Sequence, residues 1–440
     1  MLMLGLDVGS SSIKAGVLRD GKVVGKTVKA KYPTRYDGQR VEVEAGAILK
    51  ALAKAVKEVG AAAKRVDCIG LTNMAPSWVA MGANGRALTA VVTHQDRRSV
   101  GEAEELERRV GKERHLELAG NRPFPGGISS TTWAWFCRHE PPVMRKADLC
   151  GHLNAFLHRN LTGARVTDPS NASFMGLYRT LELGGWSEEL MEAVGAKRGQ
   201  LPDVLMADEV GGRITAEAGR RFGLTAGTPM LVGCVDGSAS ILLAGNRPGQ
   251  LVNVSGSTDV VALCTDRPRA HEKLLTRAVG VGRRWASVST IAAAGSALQW
   301  AKEQFFFDMS WYKFEKLMVT LARRRKRGGA DGVRFEPYLA GDRMSIEQKR
   351  GAFTGLTLST TREDMLGAMV KALAEASAAR LPILREANPG LRWGRTVILT
   401  GGVQGGLHEV LHRDWPGKWE FREEEEATLR GLGTMGRANR

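Results

Sequence analysis

Two segments half a chain apart follow one plan, and that repetition constrains the fold more than any other feature. Residues 2–18, LMLGLDVGSSSIKAGVL, set an apolar strand, a turn of Gly9, Ser10, Ser11 and Ser12, and a second apolar strand. Residues 251–263, LVNVSGSTDVVAL, do the same around Gly256, Ser257 and Thr258. One such hairpin is ordinary, because Gly and Ser are normal turn residues. The chain has 440 residues, more than one core usually supports. Two hairpins in it point to duplicated α/β domains, 1–244 and 245–440, facing each other across a ligand. Turns of small residues present backbone N–H groups and hydroxyls, the equipment that holds phosphate. In the first strand Leu4, Leu6 and Val8 alternate with Gly5, Asp7 and Gly9, which predicts that Asp7 points away from the packed face. Lys14 follows the turn as a point charge.

Residues 231–244, LVGCVDGSASILLA, read as a buried strand ending in Asp236 and Gly237, then a small-residue helix. An acid there is either an N-cap, for which Asp is favoured, or a group placed for chemistry at a strand end. The SGST turn that follows favours chemistry: a base beside a phosphate cradle. Asp7 then suits Mg²⁺, a hard cation that takes a carboxylate and waters. TVILTGG at 396–402 is a buried strand running into Gly401 and Gly402, where backbone can lie flat against a nucleotide. Polar residues just past buried strands, Asn73 and then His94 to Arg98, are candidates to line a cleft for a polyhydroxylated ligand. A solvated loop accounts equally well for Arg97 and Arg98. Trp133 and Trp135 are expected in the core.

Composition excludes several alternatives. No apolar run approaches the roughly 20 residues of a membrane span, and the acid in MLMLGLDVG is unlike a signal peptide, so the expected location is cytoplasmic. The five cysteines show no C-x-x-C spacing and the eight histidines no H-E-x-x-H, so neither a disulfide framework nor a zinc site is signalled. The net charge of +16 permits a polyanionic partner. Its densest cluster, Arg323 to Arg327, reads as a solvated helix end before Gly328 and Gly329, and no nucleic-acid module accompanies it. GLGTMG at 431–436 matches G-x-G-x-x-G, yet four residues after it leave no room for a βαβ unit.

Eight blocks in order carry a family resemblance: DVGSSSIK at 7–14, THQDRRS at 93–99, LTGARVTDPSNAS at 161–173, VDGSAS at 235–240, SGST at 255–258, GVRFEPYLAGDR at 332–343, RGAFTGLTLSTTR at 350–362 and LTGGVQGG at 399–406. Together they resemble FGGY-type carbohydrate kinases nearly end to end. The resemblance implies an α/β fold of two ribonuclease H-like, actin-like domains around a cleft, with ATP and Mg²⁺ between them. It also implies phosphoryl transfer to a sugar or polyol, with a ketopentose such as xylulose or ribulose expected. By the matching motifs Asp236 looks like the general base and Asp7 the metal carboxylate. Gly9 to Ser12 and Lys14 fall near the transferred phosphate, Gly256 and Ser257 in the second phosphate loop, and Gly401 and Gly402 near the adenosine. Asn73, Met74, His94, Asp96, Asp236 and Gly237 fall at the substrate. Met74, Ala75, Pro76 and Ser77 depart from the family's usual sugar-contact cluster, His94 stands where a Trp is common, and Gly237 where several relatives carry an amide. Asp259 closes a turn that often ends in Gly, and Val403 interrupts a frequent Gly triplet. A kinase-fold sensor that binds without transfer, or a sugar-independent ATPase of the same superfold, are the alternatives. A homodimer is compatible with all of these.

Overall fold

The computed structural model describes residues 1–323, 332–401 and 406–438. In the first sheet Leu2–Val8, Ser12–Arg19 and Lys22–Lys31 form an antiparallel meander, and Cys68–Asn73 lies parallel to Leu2–Val8. In the second, Leu251–Ser255, Asp259–Thr265 and Trp285–Ile291 form the meander, and Thr396–Thr400 lies parallel to Leu251–Ser255. The repeated hairpins thus start two sheets of the same topology. A parallel neighbour requires a crossover, and each half supplies one that contains a helix.

The crossover helices follow from local sequence. Ala45–Val59 buries Ala45, Ile48, Leu49, Leu52, Ala55 and Val56 at helical spacing and stops at Gly60. Arg362–Ala387 begins with a capping box: Thr361 Oγ1 accepts from the Asp364 N–H, and the Asp364 carboxylate accepts from the Thr361 N–H at 3.0 Å. Trp133 is fully buried and Trp135 nearly so. The helix Trp311–Arg323 ends on an Arg323–Glu409 ion pair at 2.6 Å; the rest of that basic cluster lies outside the described residues. No described helix is long and apolar enough to cross a membrane.

The reading of the first strand as packed on one face needs one correction. Leu2–Val8 is covered on both faces, with Met3 through Leu6 all buried. Leu4, Leu6 and Val8 pack in the core with Ile48 and Leu52. The opposite face, to which Gly5 and Asp7 belong, is covered by the last helix, Ala427–Ala438: a Cβ at Gly5 would lie 3.1 Å from Leu429. That helix returns from the far end of the chain to lie on the first sheet and against the helix Asp236–Leu243. Gly431 makes the approach possible, since a Cβ there would sit 1.9 Å from the Ala239 carbonyl. GLGTMG is therefore a packing face.

Candidate active site

Asp7, Thr72 and Cys234 stand in register on three adjacent parallel strands, so Asp7 and Asp236 emerge at the same edge of the sheet. Two strand spacings separate them, about 10 Å. Open α/β sheets place ligands beyond the carboxyl ends of their strands. Asp236 is the first residue of its helix; the N-cap position falls to Val235, without a side-chain cap. Among the described residues the Asp236 carboxylate accepts one hydrogen bond, 2.6 Å from the N–H of Gly237. Asp168 shows what a capping aspartate looks like here: it accepts from the N–H groups of both Ser170 and Asn171 at the start of Pro169–Met175. The cap explanation fits Asp168 and does not fit Asp236. Asp236 keeps partial exposure. Burial pushes its pKa up, while the Gly237 N–H and the charges of Arg277 and Arg343 pull it down.

Asp7 is the more strained of the two. Burial raises its pKa to about 6; a 2.8 Å hydrogen bond from Thr428 opposes the shift, the Asp236 charge adds to it and Lys14 opposes it. Lys14 is the cross-strand partner of Asp7 and forms an ion pair with Glu426 at 2.8 Å. Three carboxylates and one lysine therefore share this corner, an excess of negative charge that a cation would relieve. Among the described residues no group of three His, Cys, Asp or Glu side chains is placed to hold a metal. A Mg²⁺ ion, which usually binds through one or two carboxylates with water and phosphate oxygens, fits Asp7 as its single anchoring side chain.

Both turns are closed from within, the Gly9 N–H donating to the Ser12 carbonyl at 3.0 Å and the Gly256 N–H to the Thr258 carbonyl at 2.8 Å, and are held from outside by their carbonyls. In the first, Tyr32 Oη donates to the Gly9 carbonyl, Thr34 Oγ1 to Ser10 at 3.0 Å and the Tyr32 N–H to Ser11 at 3.0 Å. The Ser10, Ser11 and Ser12 hydroxyls make no hydrogen bond among the described residues. In the second, the N–H groups of Ala294, Gly295 and Ser296, at the start of Gly295–Phe305, donate to the carbonyls of Ser257 and Gly256. Gly401 has φ +129°, and a Cβ there would meet the Ser255 carbonyl at 1.7 Å, so its strand end abuts the second turn only as glycine. Gly402 lies outside the described residues. Asp259 faces inward beneath the turn, fully buried, paired with Arg380 at 2.5 Å and accepting from Asn253 at 2.8 Å.

Three residues expected at a polyhydroxylated ligand are committed inside the protein. Asn73 exchanges amide hydrogen bonds with Asn171 at 2.9 and 3.2 Å. Met74 lies in the first core. Asp96 accepts from the Val41 N–H at 2.7 Å and from the Arg98 guanidinium. Arg97 and Arg98, for which a solvated loop was an open reading, are not solvated: Arg97 is 3% exposed and donates to the carbonyls of Pro125, Asp342, Ser345 and Glu347. His94 lies within reach of the Arg343 charge. Its Nδ1 is buried without a partner, and burial with the Arg343 charge holds its pKa down to about 3, so the ring is neutral.

The comparisons with known proteins decide the family. Residues 2–242 match the N-terminal domain, and residues 251–404 the C-terminal domain, of the FGGY family of carbohydrate kinases. The chain belongs to that family. It is 25% identical over 386 residues to a gluconokinase of Bacillus subtilis, covering 84% of this chain and 74% of that one. It is 23% identical over 411 residues to a xylulose kinase of Escherichia coli, covering 92% and 82%. The crystal structure of xylulose kinase from Rhodospirillum rubrum superposes with a TM-score of 0.81 at 24% identity, over all of this chain and 89% of that one. The fold is the two-domain actin-like one, and FGGY kinases are phosphotransferases that use ATP on a sugar or polyol.

Four side chains of this FGGY kinase's site were given no role by the sequence. Thr428 and Glu426 arrive from the last turn of chain, 419 and more residues after Asp7. Arg343 belongs to the GVRFEPYLAGDR block, and Arg277 is a lone cation inside the buried strand Leu275–Ala278. An isolated Arg in such a strand is itself a signal, because a buried charge needs a reason. A cavity of about 390 Å³ lies between the 35–43 hairpin and residues 338–351, lined by Tyr36, Gln95, Arg97, Tyr338 and Lys349 among others. Its lining includes neither Asp7 nor Asp236.

Proposed function

We propose that this chain transfers the terminal phosphoryl group of ATP to a hydroxyl of a small sugar or polyol, with Asp236 as general base. The observation that carries the reading is a helix-start aspartate that caps nothing, keeps access to the strand-end edge, and shares it with a second, strained carboxylate. The acceptor hydroxyl gives its proton to the Asp236 carboxylate as its oxygen bonds to phosphorus, and the bond from that phosphorus to the bridging oxygen breaks to leave ADP. Asp7 would hold Mg²⁺, whose chemistry is to neutralise phosphate charge. The Gly9 to Ser12 turn, through its serine hydroxyls, with Lys14, suits the transferred phosphate; Gly256, Ser257, Gly401 and Gly402 suit the nucleotide. Residues 1–244 and 245–440 act as the two halves of the cleft.

For the acceptor, the xylulose kinases among the relatives support a ketopentose, and the gluconokinases support a sugar acid. Two buried guanidinium groups near Asp236 favour the acid. The test of phosphoryl transfer itself is ADP release from Mg·ATP with and without a panel of ketoses, polyols and sugar acids. Release that rises at least tenfold with one acceptor is expected; ATP hydrolysis indifferent to every acceptor would instead indicate the sugar-independent ATPase.

A further inference from the structure

Besides Asp7, the charged groups that act on Asp236 are two arginines. Arg343 is 6% exposed and Arg277 2% exposed, and the charge of each acts on Asp236. They come from separate parts of the second half of the chain. Arg277 fills space beside the base that a side chain at 237 would otherwise take: a Cβ on Gly237 would lie 2.8 Å from the Arg277 guanidinium. Arg343 reaches over the strand end where Met74, Ala75 and Pro76 offer no polar side chain, and donates through Nη2 to the Ala75 carbonyl at 3.2 Å.

A guanidinium has five N–H donors and no acceptor. Among the described residues the one side-chain bond of Arg277 is Nη1 to Ser238 Oγ. Among the described residues Arg343 Nε is buried without an acceptor. Among the described residues neither arginine forms a salt bridge. Burying two such charges is unfavourable unless an anion completes them. The Asp236 carboxylate acts on both and already takes the Gly237 N–H; Asp168 also acts on Arg277, but its oxygens are taken by Ser170 and Asn171. The neutral His94 adds no charge to balance them. Beside Asp236 the two guanidinium groups supply donors that an acceptor carboxylate can pair with charge and in bidentate geometry, where a neutral sugar offers them only uncharged hydroxyl oxygens.

We propose that the acceptor is a polyhydroxylated carboxylate, an aldonate or related sugar acid, whose carboxylate is taken by Arg343, with Arg277 as the second cation, while one hydroxyl faces Asp236. The inference rests on the phosphoryl-transfer reading and narrows its acceptor. Arg277 and Arg343 thus set specificity, and their charges oppose the rise that burial imposes on the Asp236 pKa.

The test compares acceptors matched in length, with the full chain and saturating Mg·ATP: gluconate and shorter aldonates against xylulose, ribulose, sorbitol and glycerol. Preference for one aldonate over every uncharged acceptor by about 100-fold or more in kcat/KM is expected, since sites built around a charged hydrogen-bonding group discriminate strongly. Arg343→Gln should raise KM for that aldonate about 10- to 100-fold and narrow its preference over the uncharged analogue, and Arg343→Lys should recover part of it. Because loss of a buried side chain can destabilise the fold, the wild-type preference is measured first, and aldonate-dependent thermal stabilisation without nucleotide is the second readout. An uncharged acceptor turned over better than any aldonate would overturn this inference and leave phosphoryl transfer standing. So would Arg343→Gln lowering kcat equally for charged and uncharged acceptors, which would assign the guanidinium to the phosphoryl group. ADP release unmoved by all acceptors would overturn both.

Discussion

A carboxylate in water titrates near 4, and the burial of Asp7 moves it to about 6. A carboxyl raised on folding holds its proton more tightly in the native state. The stabilisation from protonating it is complete below about pH 4 and is lost as pH rises through about 6. Asp7→Asn should therefore raise thermal stability at pH 8 without Mg²⁺, by about 2 kcal/mol, while abolishing Mg²⁺-dependent activity; calorimetry with and without the ion checks both. By the same linkage, apparent Mg²⁺ affinity should weaken as pH falls from 7.5 to 5, because protons compete for Asp7. Asp7 and Asp236 were legible in the sequence because each interrupts an apolar strand end with a charge. The commitments of Asn73 and Asp96 were not, since their partners Asn171 and Val41 meet them only through the folded chain.

At the scale of elements, the two hairpins and the strands that join them could be read from local pattern, because apolar runs and small-residue turns specify their own geometry. The last helix could not. Its sequence excluded a dinucleotide site but held no sign that it would cross back to cover Gly5, supply Thr428 to Asp7 and brace the helix that begins at Asp236. Gly431 is the point of closest approach. Gly431→Ala must push the two helices apart, with an expected loss of about 1–3 kcal/mol and a fall in kcat larger than any change in KM for ATP. Steady-state kinetics beside a urea melt separate the two effects, and an unchanged kcat at full stability would show that the brace does not reach the base.

Across the whole molecule the halves are tied by Arg97, which carries the first half's cationic loop onto the 342–348 segment through bonds of 2.8 to 3.4 Å. That segment delivers Arg343 to the site, so acceptor recognition depends on a contact between halves. Arg97→Ala should raise KM for the acceptor several-fold and leave KM for ATP within about twofold, a split that a general loss of folding would not produce. The two-domain plan was legible because it is built twice, whereas this tie reads in one dimension as a surface arginine. Exclusion of water by closure of such a cleft limits wasteful ATP hydrolysis, and the base within it carries the central claim. Rapid-quench measurement of one turnover by Asp236→Asn, with ATP and acceptor saturating, tests that claim most directly. The account predicts phosphoryl transfer slowed by about 10³-fold or more with nucleotide affinity retained; transfer at the wild-type rate would contradict it.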